Sequence, residues 1–212
     1  MNYLTTYYKT RPLIMLISIA VAPGWGQIGG ISGGKLFTPD VFTLAKGAFE
    51  FEPAYELQGA DRGLGFRFSA GFGKFEAGVS LDNAVDQQAI GLKYALIPER
   101  LALTTGVDYD TTFHHYAAGI IYSRPISDGL TTDLFAAATL DKEWTVMAAV
   151  GYFVTDRFQP IVEMAVAGDL ISSVSYGFTY APNEKVLVVI GVEQLFGNGE
   201  KPLMSVAFTF SM

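Results

Sequence analysis

Both histidines of this 212-residue chain, His114 and His115, stand in one short stretch with Asp108, Asp110, Thr111 and Thr112. Carboxylates beside imidazoles form a donor set for a divalent cation, here Asp108, Asp110, His114 and His115. With a Ser or Thr nucleophile the same groups could serve a lipid hydrolase. No serine lies beside either histidine, however, and Ser123 is most of a strand away. The plainer reading is a polar surface loop with no ligand. Cysteine is absent, so thiol nucleophiles, thiolate metal sites and disulfides are excluded. We assign no catalytic residue and expect no cofactor. Gly33-Gly34-Lys35 is no phosphate loop, because it lacks a strand before it and a helix after it.

A second set of residues is charged and spaced along the chain: Lys46, Glu50, Arg67, Glu76, Lys93, Asp108, Asp133, Glu163 and Glu193. Glu76 and Lys93 would be near cross-strand partners in a hairpin turning at 83–87. Lys46, Glu50 and Arg67 would cluster in the same way. Such pairs either fill an interior as a structural ion network or form a charged constriction that selects solutes.

The elements that position these residues read as strands. In Ser172–Ala181, Val174, Tyr176, Phe178 and Tyr180 share one face, and Ser173, Ser175, Gly177 and Thr179 share the other. This is period-2 alternation with a broad aromatic face and a small polar one. Twelve candidate strands follow: 41–52, 62–72, 74–82, 88–96, 101–109, 116–124, 130–140, 144–154, 158–168, 172–181, 186–196 and 203–212. The first alternates poorly, so ten strands remain possible. Apart from Arg124 at a turn, no charge falls on the apolar faces. The opposite faces carry acids at Glu50, Glu52, Glu76, Asp82, Asp108, Asp133, Glu163 and Glu193, and bases at Lys46, Arg67, Lys74 and Lys93. A soluble barrel would put charges outside and aromatics inside. The opposite arrangement predicts an all-β, transmembrane, antiparallel up-and-down barrel with lipid outside and water inside.

Tyr94, Tyr122, Tyr152, Tyr180 and Phe210 recur at steps of 28, 30, 28 and 30 residues, with Phe72 an earlier member. Each step is one hairpin with its connections. The aromatics would then lie at one height, at a membrane interface. The turns IPER at 97–100, PISDG at 125–129, TDR at 155–157 and PNE at 182–184 follow the first four, on the expected periplasmic side.

Residues 1–26 read as a signal peptide: Lys9 and Arg11, the apolar run Leu13–Ala22, then Gly24-Trp25-Gly26 as a cleavage site. The run is too short for a membrane-spanning helix, which needs about 20 residues. Residues 27–40 form a flexible lead-in, either periplasmic or tucked into the lumen, and 41–212 form the barrel. The net charge of −7 argues against nucleic acid, which needs clustered Lys and Arg. The expected partners are outer-membrane lipid and small solutes. The sequence identifies no protein partner.

AIGLKYAL at 89–96, LTTGVDYD at 103–110 and the closing SVAFTFSM at 205–212 resemble the outer-membrane barrels of the phenol-degradation (MetA-pathway) family. The resemblance covers roughly Arg62–Met212, and it implies an outer-membrane barrel engaged in transport. Barrels of that kind usually end in an aromatic residue, whereas here Met212 is last and Phe210 stands two before it. The sequence thus predicts a small-solute channel with a mildly cation-favouring lumen. One alternative is a structural or assembly subunit with a plugged lumen. Another is an outer-membrane enzyme acting on lipid.

Overall fold

The computed structural model describes residues 36, 41–82, 87–109, 114–140, 143–168, 170–196 and 201–212. Twelve strands close into one antiparallel up-and-down barrel. They are β1 Phe49–Gln58, β2 Asp61–Gly71, β3 Phe75–Asp82, β4 Gln87–Ile97, β5 Leu101–Tyr109 and β6 His114–Ser127. The second half comprises β7 Leu130–Thr139, β8 Trp144–Tyr152, β9 Phe158–Ala167, β10 Leu170–Asn183, β11 Val186–Leu195 and β12 Leu203–Ser211. Each strand pairs with its chain neighbours, and β1 pairs with β12 to close the ring. The expected signal peptide and most of the lead-in lie outside the described residues.

Alternation sets the two faces. In β2, Leu64, Phe66 and Phe68 are 46, 38 and 42% exposed, while Arg67 between them is 4% exposed and Ser69 is 1%. The same pattern runs round the ring through Ile90, Leu103, Ile120, Trp144, Val162, Tyr176 and Phe208, all outward. A continuous apolar band around a closed barrel is a surface for hydrocarbon rather than water. Outward pairs such as Phe75 with Tyr94, ring centroids 4.5 Å apart, pack laterally across strands. The recurrent aromatics Phe72, Tyr122, Tyr152, Tyr180 and Phe210 all point outward near the end of the barrel that holds both strand termini. We call this the terminal end.

The first hairpin departs from the sequence reading. The expected strand 41–52 and connection 53–61 are replaced by β1 at Phe49–Gln58. A two-residue turn, Gly59-Ala60, joins it to β2. Gly59 supplies the positive φ of 64° that a type II′ hairpin needs at its first central position. Pro53 misdirected the reading, since proline inside a sheet argues against a strand. The barrel accommodates it on one side. The β1–β2 ladder runs unbroken through Pro53 opposite Phe66, whereas the β1–β12 ladder skips Glu52 and Pro53. Proline has no N–H to give that second neighbour.

Residues 41–48 are therefore not strand. Val41 and Leu44 are buried, 0 and 3% exposed. Leu36 and Val41 pack with Ile121, Phe135, Ile161, Leu187 and Val189, all from inner faces. Leu36, Val41 and Leu44 thus lie inside the barrel. Twelve strands enclose more space than an eight-stranded barrel, and the mainly small inner side chains of β10, namely Ser173, Ser175, Gly177, Thr179 and Ala181, leave room for them.

Candidate functional site

The lumen gathers most of the charged residues singled out in the sequence. Among the described residues its inner wall buries seven carboxylates: Glu50, Glu52, Glu56, Glu76, Asp133, Glu163 and Glu193. It buries two bases, Arg67 and Lys93. Alternation places them there, because each is flanked in sequence by residues that face outward. Glu56 lies in 53–61, which reads as a connection in the sequence, so alternation alone does not find it.

Glu76 and Lys93 are direct register partners on β3 and β4, as expected. The Lys93 ammonium lies 3.4 Å from Glu76 Oε2, and both side chains are fully buried. The second expected cluster is rearranged. Arg67 pairs with Glu52, its register partner on β1, at 3.1 Å. Thr209 Oγ1 donates to the other Glu52 oxygen at 3.4 Å, and Ser211 Oγ donates to Glu50 at 3.3 Å. Lys46 does not line the lumen. It sits exposed in the turn before β1, because β1 begins three residues later than it. Lys74 is likewise exposed, between β2 and β3.

Glu163 and Glu193 flank Ser175 in one register row across β9, β10 and β11. Ser173 also hydrogen-bonds Glu193. Asp133 lies in the adjacent part of the wall, opposite Ser123 on β6 and Ala149 on β8. The lumen wall is thus polar at these carboxylate and serine rows and along β1–β4, and apolar where Ile121, Phe135, Phe153, Ile161, Leu187 and Val189 project.

Two of these carboxylates hold main chain. Glu163 Oε1 accepts the Leu36 N–H at 2.6 Å, and Glu76 Oε2 accepts the Leu44 N–H at 3.0 Å. No pattern in the sequence signals these bonds, since they join backbone amides to side chains 127 and 32 residues away.

The histidine cluster sits at the far end. The β5–β6 ladder sets Asp108 opposite His115 and Tyr109 opposite His114. The two histidine positions are therefore in a strand rather than a loop. Asp110 and the side chains of His114 and His115 lie outside the described residues, so the structure does not test the expected donor set. Among the described residues no group of three His, Asp or Glu side chains could hold a metal ion.

No family model matches the sequence, and no curated protein does. The chain is similar in shape to several solved structures. One is the KdgM porin, at a TM-score of 0.63 and 12% identity over 77% of this chain and 99% of that one. A second is the NanC porin, at 0.59 and 10% identity over 76 and 98%. The outer membrane protein Omp33 of Acinetobacter baumannii is a third, at 0.58 and 11% over 79 and 99%. At these identities the likeness establishes the fold.

Proposed function

We propose that this barrel is a non-catalytic outer-membrane channel for small solutes whose fixed lumen charge favours cations. The observation that carries the reading is the imbalance on the inner wall, seven buried carboxylates to two buried bases among the described residues. A water path bounded by such a wall concentrates cations and excludes anions. The apolar outer band supports a bilayer location. The porin-shaped fold supports transport. One KdgM structure holds oligogalacturonate, a polyanion. The acidic wall here would repel such a solute.

Planar-bilayer recording tests the reading. The wild-type reversal potential in a salt gradient should report a preference for potassium over chloride. Glu163→Lys should shift it towards chloride more than Asp133→Lys. Asp133 stands fourth in β7, nearer the mouth at the terminal end, where salt screens charges beyond about 8 Å. Selectivity unchanged by both variants in a conducting channel would refute it.

The buried Leu36, Val41 and Leu44 favour a second reading, a barrel whose lumen is filled and whose role is structural or in assembly. A folded protein with no conductance in any variant would support that one.

A further inference from the structure

On β6 the outward face carries a charge where the band around it is apolar. Ile121 and Ser123 are buried on the inner face. Ile120, Tyr122, Arg124 and Ile126 alternate with them on the outer face, and all four are exposed. Arg124 therefore faces the lipid side, two residues past Tyr122 in the recurrent aromatic row. At about 3.3 Å per residue and a tilt of about 40°, it stands about 5 Å further from the midplane than that row. Interfacial aromatics sit at headgroup level, so Arg124 lies at the depth of the headgroup phosphates.

A second arginine stands beside it. Arg100 closes the β4–β5 turn and directly precedes Leu101, the register partner of Tyr122. Ser123 N–H donates to the Arg100 carbonyl at 3.0 Å, so Arg100 and Arg124 stem from neighbouring strands, one residue out of register. Both are exposed, and neither guanidinium has a hydrogen-bond or ion-pair partner among the described residues. Glu99 and Asp128, in the two flanking turns, make no ion pair with them. Other arginines of the barrel are matched from within it. Arg67 meets Glu52 at 3.1 Å, and Arg157 Nη1 donates to the Pro182 carbonyl at 3.2 Å. Two unmatched like charges on adjacent strands repel, unless an anion lies between them.

Towards the midplane the same face is apolar. Tyr122 lies opposite Leu101 and Leu134, and Ile120 opposite Leu103. Leu103, Ile120 and Leu134 are all exposed and outward. An anion held at the arginines would thus stand at the head of a hydrocarbon-facing bed.

We propose, on the basis of the bilayer location above, that Arg100 and Arg124 hold the phosphate of an anionic phospholipid whose acyl chain lies along Leu103, Ile120 and Leu134. The planar guanidinium fork matches phosphate oxygens in pairs, and a shared phosphate converts the repulsion between the arginines into attraction to a common partner. Free inorganic phosphate offers the same oxygens and no chain. The bed beneath the pair favours the lipid.

Native mass spectrometry of the full-length protein, refolded into vesicles of equimolar phosphatidylglycerol and phosphatidylcholine and then extracted in detergent, reads the lipid retained. The wild type should retain phosphatidylglycerol over phosphatidylcholine by about 10-fold. Arg100→Gln with Arg124→Gln should abolish the preference. Lys46→Gln with Lys74→Gln removes the same charge from exposed positions elsewhere at the terminal end and should leave it unchanged. If the double arginine variant loses heat-modifiable migration, Arg124→Gln alone carries the test and should lower the preference by about 3-fold. Equal loss in the lysine variant would replace the site by a diffuse basic rim and overturn it. Displacement of the lipid by millimolar inorganic phosphate would assign the arginines to the free anion and overturn the lipid site. A wild type that inserts but retains both lipids equally would overturn the site and leave the bilayer location standing. A wild type that inserts into no vesicle would overturn both.

Discussion

An arginine placed on the outward face should cost stability according to its depth, and the ladder registers fix that depth. Val162 on β9 is 57% exposed and lies opposite Tyr176 and Val150. Val188 on β11 lies opposite Tyr180, one of the recurrent aromatics. Phe158, four residues before Val162, is also opposite Tyr180. Both sites are thus measured from one row. At about 3.3 Å per residue and a tilt of about 40°, Val162 lies about 10 Å beyond that row along the membrane normal. An apolar band about 25 Å tall puts it near the midplane and leaves Val188 at the interface. Val162→Arg should therefore cost about 2–4 kcal/mol, and Val188→Arg about 0–1 kcal/mol. Urea unfolding in lipid vesicles, followed by Trp144 fluorescence and by heat-modifiable gel migration, measures both. Equal costs at the two sites, or a Val162→Arg that costs nothing, would mean that the outward face meets water.

Removing one member of the fully buried Lys93–Glu76 pair, as in Lys93→Met, should cost about 3–5 kcal/mol in the same assay. Lys93→Met combined with Glu76→Gln should cost less than the sum of the two single changes, and strict additivity would show that the 3.4 Å approach carries no coupling. Glu99, third residue of the turn closed by Arg100 N–H to Ile97 O, has a φ of 62°, so Glu99→Gly should stabilise the barrel by up to about 1 kcal/mol. A loss of stability there would show that the Glu99 side chain holds the turn.

The fold was legible because the barrel writes its geometry into every second residue. Ser173 to Thr179 on one face and Val174 to Tyr180 on the other leave no other architecture in which charges and lipid are both satisfied. Glu76 with Lys93 was legible for the same reason, since alternation and a short connection together fix a register. Where local sequence conflicted with long-range pairing, the reading failed. Pro53 breaks one ladder only, and a single chain cannot reveal which neighbour a proline faces. Its misreading moved Lys46 onto a strand and hid Glu56. The residues inside the barrel were less legible still. The lead-in reads equally as periplasmic or as tucked into the lumen, and the lumen position of Leu36 depends on its bond to Glu163, 127 residues away. Leu36, Val41 and Leu44 have no period, because they fill a space defined by other strands.

The seam between β1 and β12 sets when the molecule can become itself. Eleven of the ring's pairings join consecutive strands and can form as hairpins. The twelfth brings together Phe49 and Met212, which exchange backbone bonds of 3.1 and 2.9 Å, and sets Ser211 against Glu50 across 161 residues. Contacts so distant along the chain are slow to find and are made after the local ones. Until they form, β1 and β12 are bare edges whose donors and acceptors have no partner in hydrocarbon. A half-closed sheet in lipid is then strongly disfavoured, and insertion is driven towards one concerted closure. Because Ala48 and Phe49 adjoin, the same step that seals the wall decides which side of it the preceding residues are on.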